Sequence, residues 1–209
     1  GRAEPELGDD RRLDGVHSGV RGSRIRRTHR RRVRGDLDLL QGPFAQKLGD
    51  ATGTIVDPTS FLPSNPAQAY VQLNYTIPFD SFEESIATDD AGDDSAWSAA
   101  NAVYQDQFRR ITELLDFEDV LLIDTKGNVV YSAYKGVDLG TNLLTGPYAF
   151  SNLATAYTKA LSTNILDTVE FTDFGEYPPS LGVPAAWAVS PVGANGQAIG
   201  AIAVEMPID

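Results

Sequence analysis

Aromatic and acidic residues gather in two glycine- and proline-rich stretches of the second half of the chain. Asp138 to Asn152 carries Tyr148 and Phe150; Asp173 to Trp187 (DFGEYPPSLGVPAAW) carries Phe174, Tyr177 and Trp187 and is stiffened by Pro178, Pro179 and Pro184. Aromatic faces with a few polar groups on loops over a sheet suit a small-molecule pocket. An ionised Asp173 near Tyr177 and Trp187 suits an amine or other cation, held by charge-assisted hydrogen bonds and cation–π attraction. Lys135 is expected to meet an anionic group on the same ligand, which makes a cationic or zwitterionic metabolite the expected class. Core or interface packing is the competing account of each aromatic.

Catalysis is tested by absence. The two histidines, His17 and His29, lie in the first 35 residues, and there is no cysteine. The rest of the chain therefore has no Ser-His-Asp or Cys-His nucleophile and no histidine- or thiolate-based zinc site. It has no disulfide, no G-x-x-x-x-G-K-[ST], no G-x-G-x-x-G and no G-x-S-x-G. A two-carboxylate glycosidase needs a particular pair of acids, and nothing in the pattern selects one. Asp89 to Asp94 lacks the alternating ligands and closing Glu of a calcium loop. It reads instead as an acidic loop whose last carboxylates favour the next helix N-terminus. No catalytic residue, metal site or cofactor is expected.

Charge divides the chain. Residues 1–35 hold 11 arginines against five acids, whereas residues 36–209 hold six Lys and Arg against 24 acids. The acidic body repels nucleic acid and anionic lipid. Residues 1–42 have no apolar period and read as an unfolded, Arg- and Gly-rich polycation. A further reading is out-of-frame translation of GC-rich DNA. Shifted by one base, permissible codons for Asp14–Arg21 and Asp36–Gln41 yield amphipathic peptides. No apolar run reaches the roughly 18 residues of a membrane span.

The elements that must position the loops follow from periodicity. Residues 43–116 read as a lead-in, partly ordered from Pro43 to Leu62, followed by helices. Ser64-Asn65-Pro66 opens a short helix reaching about Asn74, with Pro78 beyond its end. Ser95 to Asp116 is predicted helical, with Trp97, Ala100, Tyr104, Phe108, Ile111 and Leu115 forming one apolar stripe that packs on the sheet. Residues 117–209 hold the sheet. Val120–Ile123 and Val129–Tyr134 flank an Asp/Gly/Asn turn as a hairpin, and a helix over Ser151–Ser162 puts Leu153, Tyr157 and Leu161 in register. Strands are predicted at Thr168–Phe174, Ala185–Val192 and Gln197–Glu205, with Asn195-Gly196 turning between the last two. Five strands with helices to one side make a mainly antiparallel α+β domain. On a regular strand Tyr131 and Tyr134 face opposite ways, so both line one pocket only if a bulge intervenes.

The stretch VLLIDTKGNVVYSAYKGVDLGTNLLTGPYAFSNLATAY (residues 120–157) and the closing GAIAVEMPID resemble the extracytoplasmic PAS-like (Cache-type) sensor domain of bacterial transmembrane receptors. The likeness runs from about Ser60 to Asp209. It implies a five-stranded antiparallel sheet with N-terminal helices and one crossover helix. It also implies a ligand held between sheet and loops, which makes Tyr131, Tyr134, Lys135, Asp138, Tyr148, Asp173, Tyr177 and Trp187 the candidate contacts. The Arg-centred amino-acid signature of double Cache sensors is not evident. Such domains sit on the outer face of the bacterial membrane, anchored by flanking helices outside this chain. They precede nucleotide cyclase, chemoreceptor or histidine kinase modules, and a cyclase is the first expectation here. The resemblance implies a shift of the terminal strand as the signal. A homodimerisation module without a ligand, pairing through the Trp97–Leu115 helix, is the alternative.

Overall fold

Two strands of this chain are apolar on both sides, and that sets the architecture. In the computed structural model, which describes residues 42–208 apart from residues 43, 47, 51, 62, 80 and 164, β1 is Asp119–Asp124 and β6 is Gln197–Met206. Leu121, Ile123, Ala201 and Ala203 enter one core cluster, while Val120, Leu122, Ile202 and Val204 enter another. Alternation sends these two sets to opposite faces, so each face needs a cover. The arginine-rich segment and its out-of-frame reading lie outside the described residues.

The remaining strands are β2 (Val129–Ser132), β3 (Glu170–Phe171), β4 (Gly175–Glu176) and β5 (Pro184–Ala194). The order is β2-β1-β6-β5-β3, with β4 pairing farther along β5, and every ladder is antiparallel. Asn195 and Gly196, both at positive φ, make the turn between β5 and β6 as expected. The strand predicted over Thr168–Phe174 is interrupted: only Glu170 and Phe171 pair as β3, and the chain returns to β5 as β4. The fold is α+β and PAS-like, with its N-terminal helices and one crossover helix in place.

Helix α1 (Pro66–Tyr75) starts where Asn65 accepts from the Gln68 amide and Pro66 occupies the first turn. Helix α2 (Phe82–Ala87) was not anticipated. Its sequence signal is Ser81 three residues before Glu84, with Ser81 Oγ accepting from the Glu84 amide. Helix α3 (Ala96–Leu115) opens at Ser95 and closes on Asp116 in the left-handed region. Helix α4 (Asn152–Ser162) opens at Ser151 and buries Leu153, Ala156, Tyr157 and Ala160.

Helices cover both faces, not one. Helix α4 packs on the face of Leu121 and Ala203, and α3 covers the face of Val120 and Val204 through Trp97, Phe108 and Ile111. The α3 stripe is also rotated from expectation. Ala100, Tyr104 and Leu115 are exposed, and the buried row is Ser98, Asn101, Gln105 and Thr112. Asn101 and Gln105 face inward because they have carbonyl partners there, Thr88 and Asp89 for Asn101 and Ile86 and Ala133 for Gln105, while Ser98 accepts from the Tyr75 hydroxyl. The lead-in is helical at its described residues between 42 and 52 and adds Phe44 and Leu48 to the α4-side core. Phe44, Leu48 and Phe61 thus enter the same cluster as Leu121, Leu153 and Ala203.

Candidate functional site

The first loop leaves β2 and folds back beside it. Gly140 donates to the Val129 carbonyl at 2.8 Å, and Val129 donates to the Thr141 carbonyl at 2.9 Å. Gly140 has φ +81°, and a Cβ there would stand 2.8 Å from the Gln68 Cα, so the turn lies directly on α1. Between these anchors the chain buries Asp138, which is only 3% exposed.

Asp138 Oδ2 accepts from the Tyr177 hydroxyl at 2.8 Å, while Oδ1 has no partner in the protein. Tyr148 and Trp187 flank Tyr177, with ring centroids 5.6 and 5.1 Å away. The Tyr148 hydroxyl and the Trp187 indole N–H are also buried without a partner. Burial raises the Asp138 pKa, opposed by the Tyr177 hydrogen bond. Burial, then the neighbouring Asp138, raises both tyrosines well above their ordinary value. One acceptor and two donors in a dry, aromatic setting are costly to leave unmade, since each forfeits its solvation.

Two further acids adjoin Asp138, and neither was singled out from the sequence. Asp119 opens β1 and pairs across the ladder with Glu205 of β6. Its carboxylate is fully used: Oδ1 accepts from the amides of Val120, Ala133 and Tyr134 and Oδ2 from Ser132 Oγ. Burial and then Asp138 push its pKa up, against those hydrogen bonds. Glu205 accepts from Ser180 Oγ at 2.7 Å. Burial pushes it up to about 8, with Asp119 and Asp138 adding repulsion. The available signal was an acid at either end of an apolar strand, in FEDVLLID and AIAVEM. The turn Tyr177–Ser180 thereby bonds two of the three acids, through Tyr177 to Asp138 and Ser180 to Glu205.

The eight expected contacts do not form one group. Asp138, Tyr148, Tyr177 and Trp187 come together on the α4 side. A bulge at Val130, where Leu122 pairs with Tyr131 but Ile123 with Val129, turns Tyr131 to the α3 side. Tyr134 packs there too, so the two tyrosines do share a cluster, but under α3. Lys135 is a correction. Its buried ammonium donates to Gln105 Oε1 and to the Ala133 carbonyl and lies 4.8 Å over the Tyr131 ring. It is spent on α3-side partners and does not face Asp138's aromatic group. Burial lowers its pKa to about 7. Asp173 is a second correction: the residue is exposed, and its carbonyl accepts from Asn152. The buried carboxylate beside Tyr177 is Asp138.

A separate surface recess of about 430 Å³ lies between α4 and the preceding loop, lined by Leu143, Leu144, Thr155 and Lys159 among others. Lys159 there is paired with Glu170. Among the described residues no group of three or more His, Cys, Asp or Glu is arranged to hold a metal ion. None of the described helices is long and apolar enough to cross a membrane.

No protein-family model and no curated protein matches the sequence. Among solved structures the chain is similar to the sensor domain of the histidine kinase DctB of Vibrio cholerae, at 17% identity and a TM-score of 0.38. That match covers 80% of this chain and 56% of the other, so the chain spans little more than half of that neighbour's length. A sensory box sensor histidine kinase, also from Vibrio cholerae, is similar at 17% identity and a TM-score of 0.33, over 53% of this chain and 99% of the other.

Proposed function

We propose that the domain binds a small cationic molecule at Asp138 and serves as the ligand-sensing, extracytoplasmic part of a membrane signalling protein. The observation that carries this reading is the convergence of unpartnered buried polar atoms, Asp138 Oδ1, Tyr148 OH and Trp187 Nε1, around the Tyr177 ring. An ammonium group suits the free carboxylate oxygen, and the aromatic faces suit its charge. A bound cation would relieve the repulsion that Asp138 adds at Asp119 and Glu205. A zwitterion is the weaker form of the proposal, because Lys135 is engaged elsewhere. The role is binding rather than catalysis, and a nucleotide cyclase output ahead of a chemoreceptor or kinase is part of the same proposal. The downstream coding sequence tests that part.

Binding is tested by a thermal-shift screen of metabolic amines, amino acids and neutral isosteres on the full chain. An amine should raise the melting temperature by mass action, and Asp138→Asn should remove that shift. A shift that survives Asp138→Asn would move the site elsewhere.

A homodimerisation role has its own support in the outer face of α3. Val103, Tyr104, Leu114 and Leu115 are all more than half exposed. A second copy of this helix would cover them. Sedimentation across a concentration series tests this, and a monomer at high concentration would reject it.

A further inference from the structure

The segment Ala133–Leu139, from which Asp138 hangs, is tied by side chains to each of the helices α1 to α3. Its carbonyls accept one by one. Gln105 of α3 donates to Ala133 at 3.1 Å, and Ser85 of α2 donates to Tyr134. Thr76, the C-cap of α1, donates to Gly136 at 3.3 Å. Gln72 of α1 donates to Val137 at 3.0 Å and to Leu139 at 3.2 Å. The Gln72 amide thus straddles Asp138, holding the carbonyls on either side of it. Gln105 also donates to Ile86 and accepts from Tyr131 and Lys135. Gln72 and Gln105 are both fully buried.

Loop carbonyls usually accept from water or from the loop itself, and such partners are exchanged at little cost when the loop shifts. Here the partners are side chains of helices that come earlier in the chain and of a helix cap, and the amides of Gln72 and Gln105 among them are buried. A displacement of the segment must carry those amides along or leave donors and acceptors unmade in a low-dielectric setting. Only the side chain of Asp138 faces Tyr177, while the backbone around it faces the helices.

We propose that Gln72 and Gln105 are positioning residues that couple the Asp138 site to helices α1 and α3, so that events at Asp138 are read out as a change in α3. This rests on the binding reading for its physiological meaning but is tested without a ligand. Tyr177→Phe removes the one hydroxyl that Asp138 accepts from, on the side away from α3. Hydrogen exchange of the full chain is then followed in peptides covering α3 and, as the internal reference, α4. Exchange in α3 should speed up at least fivefold more than in α4. In a Gln105→Met background the Tyr177→Phe change should move α3 and α4 alike, within twofold. If Gln105→Met does not fold, Gln72→Met takes its place with the same expected loss. An α3 response that is absent in Tyr177→Phe, or that persists in full without the amide, would overturn the coupling. Failure of every amine to shift the melting of the wild-type chain would instead count against the binding reading, leaving the exchange result standing.

Discussion

Replacing Glu205 by Gln should make the protein more stable at pH 8 and flatten its dependence on pH. Burial holds the Glu205 pKa at about 8 against an ordinary 4.5. Between those values the folded state carries a proton that the unfolded chain has released. Stability is therefore fully present below about pH 4.5 and falls as pH rises towards 8. One such proton gives a slope of about 1.4 kcal/mol per pH unit, and the whole window amounts to at most about 5 kcal/mol. That is a large part of the ordinary 5–15 kcal/mol of a domain. Glutamine keeps an oxygen for Ser180 Oγ while abolishing the ionisation. Urea denaturation read by tryptophan fluorescence, at half-unit steps from pH 5 to 8.5, gives both slopes, since Trp187 is buried. The variant's curve should be shallower by about 1.4 kcal/mol per pH unit and cross above the wild type before pH 8. Two parallel curves would refute the assignment of a raised pKa to Glu205.

Gly136→Ala puts a Cβ 2.9 Å from Asp138 Oδ1, so the carboxylate must give way; amine-induced thermal shifts should vanish while the melting temperature of the unliganded protein changes by only a few degrees. Asp119→Ala strips the acceptor from the Val120, Ala133 and Tyr134 amides and Ser132 Oγ and should cost about 3 kcal/mol or more in denaturation. Tyr104→Glu, on the exposed face of α3, should leave stability within about 0.5 kcal/mol and abolish any self-association seen by sedimentation; an unchanged dimer would exclude that face. Removing residues 1–35 should eliminate whatever nucleic-acid retention the full chain shows on a heparin or DNA column, and retention by the acidic remainder would contradict the charge argument.

Much of the framework is legible in local chemistry. The Asp124-to-Asn128 turn, the Asn195-Gly196 turn and the Asn65-Pro66 helix start are each decided within a few residues, and each is found. What is not legible depends on distant partners. Gln105 looks like a surface residue in a helical wheel, yet it is buried because Ile86 and Ala133 offer carbonyls to it. The bulge at Val130 leaves no residue-type signature, but it decides which cluster Tyr131 joins. Helices on both faces were readable: Val120–Ile123 and Ala201–Val204 are apolar without alternation, which is the mark of a strand buried on both sides. At the site, the aromatics Tyr148, Tyr177 and Trp187 were identified by composition, whereas the choice of Asp138 over Asp173 as their carboxylate required the fold.

The seat of α3 governs the manner in which that helix can move. A helix resting on aliphatic side chains can creep by fractions of an ångström, because dispersion contacts have no fixed address. Asn101 and Gln105 each grip two carbonyls, Thr88 with Asp89 and Ile86 with Ala133. Leaving the Gln105 grip means breaking two buried bonds together in a place water does not reach, and leaving the Asn101 grip breaks two part-buried ones. A displacement of α3 large enough to leave these grips would break paired bonds at once, with little stable ground between seated and unseated.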